Sequence, residues 1–361
     1  MTTTVGKPSP APAARAWRTG ALSHPVLLVL LGAALVVSAL MATGVGPVGV
    51  PAGEVAGILV HHLRGGGDTG AAADLIVWRI RFPRVLLGAV VGAGLALAGA
   101  VVQGVVRNPV ADPYLLGLSH GASVGAVLVL TTGASVLGAL TLPFAAFAGA
   151  TAAIAVVLVM ARHRGRLLPM RLILVGVAFG HLFAGVTSFM LARTDSSAAQ
   201  QQIIFWMLGG LSGARWATLP VTASVVVGVG ALLLVRARRL NALVLGEEAG
   251  AALGLNASRL RWYLLVLTTL LTGTVVAVSG GIGFVGLIVP HLARMLVGAD
   301  HRRMLPVTAL LGALFLLWAD VAARMLIAPA ELPIGILTAF LGVPFFLLVM
   351  RARGLATGEN A

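Results

Sequence analysis

The apolar runs of this chain have no polar face. From about residue 26 to residue 351 the charged side chains fall in short clusters, and the stretches between them are apolar around the whole helical turn, so a helix made from one of them has no side to present to water. Ten such runs stand out, 26–46, 84–106, 113–132, 135–161, 170–192, 217–236, 261–279, 282–297, 303–327 and 332–351. Their lengths bracket the roughly 20 residues that cross a hydrocarbon layer about 30 Å thick. With 59% hydrophobic and 10% charged residues, against about 45–50% and 25% in a soluble domain, and a mean hydropathy of +1.02, a water-soluble globule is excluded. The expected fold is an all-α polytopic membrane protein. A single ten-helix domain covers 25–353, preceded by a disordered basic tail (1–24) and followed by a short polar one (354–361).

The formal net charge of +14 would suggest nucleic acid in a soluble protein, but its placement excludes that partner. All but one of the 25 basic residues are arginine, clustered between apolar runs, as topology determinants are. The ten spans put 18 of them on one side and seven on the other. The arginine-rich side is therefore expected to be cytoplasmic, with both termini there. The absence of cysteine excludes disulfides, thiolate metal sites and iron–sulfur clusters.

A chain that moves solute uphill needs an energy source. The one lysine is Lys7, in the polar tail, so no phosphate-binding loop with its lysine exists, and ATP hydrolysis is expected on another polypeptide. Ion coupling would require ionisable groups deep in the membrane, and these are scarce. Asp320 and Arg324 lie four apart and are placed to pair with each other, and His181 suits a structural role better than a proton relay. His61 and His62 are adjacent in the loop before the second span, without metal-ligand spacing. No metal and no cofactor is expected.

Glycines repeat at four-residue spacing, as in Gly88/Gly92, Gly117/Gly121/Gly125 and Gly176/Gly180, which puts small residues on shared faces and predicts a compact bundle. Asn108 and Pro109 are expected to end the second span, and Asp112 and Pro113 to open the third as N-cap and first helical residue. Pro290, in the run GGIGFVGLIVPHLAR that also holds Gly283 and His291, is expected to kink or interrupt its span. The stretch 198–212 is too short to span and is expected at an interface. The longest cytoplasmic connection, 237–260, reads as two short helices. Leu245 and Gly246 lead into Glu247 and Glu248 at the first helix N-terminus, and Gly254 with Asn256 marks a stop and restart. This is a docking platform or, failing that, a packed connector. On the opposite side Arg81, Arg84 and Arg324 are expected to form an exposed basic set, suited either to an acidic protein partner or to anchoring at lipid headgroups.

The string RIRFPRVLLGAVVGAGLALAGAVVQGVVRNPVADPYLLGLSHGASVGA, with LNALVLGEEAGAALGLN, GGIGFVGLIVPHLARMLVGADHRRMLP and ADVAARMLIAPAELPIGILTAFLGVPFF, strongly resembles the FecCD-type permeases of ABC importers, from about residue 26 to 353. The resemblance implies the type II importer architecture in a bacterial plasma membrane. It implies a permease homodimer or paralogous heterodimer, two cytoplasmic ABC ATPase subunits and an extracytoplasmic substrate-binding protein. It matches Arg81, Arg84 and Arg324 to arginines that meet acidic residues of the binding protein, and Leu245 to Leu255 to the coupling helices, with Glu247 near the ATPase and Gly254 at the turn. It places the translocation path along the subunit interface, lined by 170–192 and 332–351. The segment DPYLLGLSHGAS favours a ferric siderophore as cargo, with haem and cobalamin as alternatives. A stand-alone secondary transporter is the remote alternative.

Overall fold

A computed structural model describes residues 23–163, 166–167, 169–246 and 254–356. These form twelve helices: α1 (His24–Gly44), α2 (Ala52–Leu63), α3 (Ala72–Val106), α4 (Leu118–Thr132), α5 (Thr141–Ala161), α6 (Pro169–Ala192), α7 (Ser197–Leu208), α8 (Leu219–Val244), α9 (Ala257–Ser279), α10 (Val285–Val297), α11 (His301–Met325) and α12 (Ile334–Ala356). A two-residue antiparallel pairing, Arg162–His163 with Arg166–Leu167, joins α5 to α6. Seven helices are long and apolar enough to cross a membrane, and α4, α10 and the Ile334–Val349 part of α12 are shorter apolar helices. These ten coincide with the ten expected runs. The short amphipathic stretch forms α7, and α2 is a helix the apolar pattern did not predict.

The hub is α3. It packs against α8, α9, α10 and α11, while α4, α5 and α6 form a neighbouring layer and α1 lies against α11. Its most apolar window is 78% buried, against 17% for α1. Close backbone approach makes this possible. A Cβ added at Gly92 would overlap the carbonyl of Gly312 on α11, and one at Gly99 would overlap that of Gly286 on α10. On the second layer Gly121 faces Gly149, and Gly125 faces the carbonyl of Ala145. In lipid, where little hydrophobic drive acts between helices, such contact supplies dispersion and dipole interactions.

Pro290 lies inside the continuous helix α10, so of the two expected outcomes, a kink or an interruption, the interruption does not occur. Proline has no N–H for the carbonyl four residues back, here Gly286. The side chain of Gln103 on α3 supplies the donor instead, its Nε2 lying 3.0 Å from the Gly286 oxygen, and its Oε1 accepts from Arg294. One amide thus satisfies the group that proline orphans and ties α10 to the hub. Gly283 lies just before the helix, with open space on this chain where a Cβ would be. The sharper backbone feature is Phe284, at φ 67°, whose ring occupies the notch left by Gly342 on α12.

α8 is longer than expected. Residues 237–244 continue the helix because Ala237, Leu240 and Leu243 are buried, so the connection shortens to Leu245–Asn256. Asn241 also pins this extension, accepting from the backbone N–H of His301 at 3.0 Å and donating to Asp300 at 2.7 Å. The Arg302 backbone N–H and the Asn241 amide hold the exposed Asp300 carboxyl below its ordinary range.

Gly99→Ala is expected to destabilise the protein in detergent by about 1–3 kcal/mol through overpacking. Gly228→Ala, on an exposed helix face with nothing within 4 Å, is expected to be neutral or slightly stabilising. Thermal unfolding of both purified variants checks this, and equal midpoints would refute the close-contact account. Gln103→Leu leaves the Gly286 carbonyl without its donor and is expected to cost about 1–3 kcal/mol in the same assay.

Candidate functional site: a cleft beside a buried arginine cluster

Two regions carry the polar chemistry, one at each end of the bundle. At the arginine-poor end, the first part of α3 contains a π-helical stretch, Leu75–Arg81, two residues before Pro83. The widened turn accommodates a ring that would otherwise crowd the carbonyl of Arg79. This stretch delivers Arg81 and Arg84 into the protein. Arg81, Arg84 and Arg324 are 6%, 7% and 4% exposed, so the exposed basic set expected from the sequence is not present on this chain.

The physical reason is that each guanidinium has acceptors inside. Arg84 donates through Nε to both oxygens of Asp320, at 2.9 and 3.2 Å, and through Nη1 to both oxygens of Glu331, at 2.9 and 3.0 Å. Arg324 pairs with Asp320 at 3.1 Å, the i,i+4 pair read from the sequence, and donates to the carbonyls of Val45 at 3.1 Å and Ala42 at 3.3 Å. Arg81 donates to the carbonyls of Gly44 at 3.0 Å and Thr43 at 3.4 Å, and to that of Val48. Arg81 and Arg324 therefore close the C-terminal end of α1, whose last carbonyls have no partner within the helix and carry the negative end of its dipole. Gly46 leaves the room that the Arg81 guanidinium fills.

Next to this cluster stands a stack of rings: His62 lies flat on Trp78 at 4.3 Å, and Trp78 contacts Trp216 at 4.7 Å. His62 Nε2 is 2.6 Å from Asp74, which also accepts from the backbone N–H of Thr69 at 2.7 Å. This stack fastens α2 to the start of α3. Neither α2 nor the stack was predicted, although the adjacent His61 and His62 and the two tryptophans were the available signal.

A cleft of about 820 Å³ opens beside Arg84 and Glu331, walled by Phe205, Trp206, Ser279 and Pro333 among others. That is within the roughly 300–1,000 Å³ range of small-molecule sites. Its floor is backbone: the Gly210 N–H donates to the Ser279 carbonyl at 2.8 Å, and a Cβ at Gly335 would overlap the Leu208 carbonyl. Below it the turn of Pro113–Leu116 is fastened to the same segment, with the Ile282 N–H donating to the Tyr114 hydroxyl at 3.0 Å. Asp112 caps that turn, accepting from the Tyr114 N–H at 2.8 Å, but the turn is 3-10 and α4 begins only at Leu118, after Gly117 adopts φ 76°. The residue that ends α3 is Arg107, at φ 56°; Asn108 and Pro109 follow, with the Asn108 side chain accepting from Val110 at 3.1 Å. His291 meets the ring of Phe345 on α12 edge-on at 5.9 Å.

At the arginine-rich end, Leu245 and Gly246 close α8, and Gly246 and Gly254 take positive φ, 120° and 71°. Asn256 caps α9, accepting from the Arg259 N–H at 2.9 Å. Glu247 and Glu248 lie outside the described residues.

Arg84→Met removes the partner that Asp320 and Glu331 share, leaving the buried Asp320 with Arg324 alone, and is expected to cost about 1.5–3 kcal/mol, as loss of hydrogen bonds to a charged group does. The check is the unfolding midpoint in detergent, with Arg79→Met, at an exposed arginine paired to exposed Asp68, expected to change it by under about 1 kcal/mol.

The family model for the FecCD transport family matches residues 27–352. The chain is 44% identical over 281 residues to the cobalamin import system permease BtuC of Halobacterium salinarum, covering 78% of this chain and 74% of that protein. It is also 44% identical over 288 residues to the hemin transport system permease HmuU of Yersinia pestis, covering 78% and 85%. Its fold matches a solved transporter assigned to the metal-chelate type of ABC transporter, in an inward-facing conformation, with TM-score 0.78 and 33% identity over 91% of this chain and 99% of the other. With a membrane-crossing bundle, a wide cleft and a sequence that lacks a phosphate-binding lysine, the chain belongs to the FecCD transport family and is the permease component of an ABC importer, whose ATPase is a separate subunit.

Proposed function

We propose that this chain forms, as a homodimer or with a close paralogue, the membrane path for a bulky metal chelate, and that the leading cargo is a ferric siderophore. The observation that carries this reading is the family match over almost the whole chain joined to a wide cleft whose only charged lining residues, among the described residues, are Arg84, Arg215 and Glu331. A path with few charges binds a large solute weakly and so releases it. The segment DPYLLGLSHGAS supports the siderophore. Haem and cobalamin are the second reading, favoured by the equal identity to relatives named for hemin and cobalamin.

In this reading two ABC ATPase subunits sit on the arginine-rich, cytoplasmic end, against the connection that Leu245, Gly246 and Gly254 frame and that includes Glu247 and Glu248. ATP closes the ATPase pair, and the rigid anchoring of α8 through Asn241 passes that movement into the bundle, so that the cavity opens alternately to the two faces. An extracytoplasmic binding protein docks at the other end. Because Arg81, Arg84 and Arg324 are buried, they act in docking by holding the rim, and the exposed Arg215 at that end presents charge to an acidic partner.

Proteoliposomes containing the chain, its ATPase and its binding protein are expected to take up a ferric siderophore only when ATP is hydrolysed, and faster than haemin or cobalamin. Faster uptake of either of those moves the cargo to the second reading. Uptake by the chain alone, driven by a proton or sodium gradient, would overturn the proposal.

A further inference from the structure

A second crevice lies between α8 and α9 at the arginine-rich end, lined by Arg236, Arg239, Gly254, Asn256, Arg259 and Tyr263 among others, with a volume of about 380 Å³. We propose that it is a binding site for the phosphate of an anionic phospholipid headgroup. The inference rests on the membrane placement of the bundle and not on the cargo or on the direction of transport.

Position comes first. The run from Leu219 to Val235 rises about 25 Å along α8, close to the thickness of the hydrocarbon layer. Its face is open, with Val227 and Val235 70% and 76% exposed. Arg236 follows Val235 directly, so the crevice begins where the apolar face ends, at headgroup depth. On the facing helix Trp262 and Tyr263 occupy the same level, the residue types enriched at that boundary.

Charge and geometry come next. Three guanidinium groups converge from two helices, Arg236 and Arg239 three apart on α8 and Arg259 in the first turn of α9. Among the described residues no carboxylate lines the crevice. Arg236 is held over the Tyr263 ring, 5.3 Å from its centroid, which fixes the cation without neutralising it. Guanidinium is matched to phosphate oxygens by its forked donors, and basic pockets between transmembrane helices on the cytoplasmic side suit anionic headgroups. The open side of α8 gives the acyl chains a place to lie, which a free phosphate does not need.

The test is native mass spectrometry of the full chain in detergent with added phosphatidylglycerol, cardiolipin or phosphatidylcholine. The anionic lipids are expected to remain bound and phosphatidylcholine to be lost. The triple variant Arg236→Gln/Arg239→Gln/Arg259→Gln is expected to retain at least about tenfold less anionic lipid. Arg302→Gln/Arg303→Gln, which removes two exposed charges at the same end, is expected to retain it fully. If the triple variant does not fold, the single Arg239→Gln, at an exposed side chain, is expected to lower retention at least about twofold. Inorganic phosphate at millimolar concentration is expected to displace little lipid. Equal retention of phosphatidylcholine, equal loss in the double control, or complete displacement by inorganic phosphate would each overturn the proposal. So would unchanged lipid retention in a triple variant that has lost association with the ATPase.

Discussion

Inside a bilayer no water stands ready to satisfy a backbone group, so every carbonyl freed by a helix end or a proline must find a donor within the protein. The architecture turns on how that is done. The end of α1 is closed by Arg81 and Arg324, which reach it from α3 and α11. The carbonyl that Pro290 would orphan is met by Gln103 from α3. Each solution also fastens a peripheral helix to the hub, so satisfaction of the backbone and assembly of the bundle are one event.

The arginine cluster follows the same economy. Asp320 lies between Arg84 and Arg324, and Arg84 reaches on to Glu331 at the lip of the cleft. Three cations and two anions come from α3, α11 and the segment before α12, leaving a small positive excess that the α1 dipole absorbs. In this arrangement Asp320 is shared by two guanidinium groups and Arg84 by two carboxylates, so α3, α11 and the segment before α12 are tied to one another at the lip of the cleft.

At the other end the bundle is pinned differently. Asn241 links the extension of α8 to the start of α11, and Asn256 restarts the chain as α9. The connection between them is short and bounded by two glycines at positive φ.

The sequence by itself determined where the long apolar helices lie and that glycine faces pack closely, because those depend on length, composition and four-residue periodicity. The i,i+4 partnership of Asp320 and Arg324 was equally legible, being local to one helix. What only the tertiary structure decided was the fate of long polar side chains. RIRFPR reads as an exposed basic patch because its partners, Asp320, Glu331 and the end of α1, are distant in sequence. Pro290 reads as a kink or an interruption, and the donor that meets the carbonyl it would orphan, Gln103, lies 187 residues away. A flexible side chain takes its role from whatever group the fold brings within about 3 Å, and sequence spacing carries no record of that.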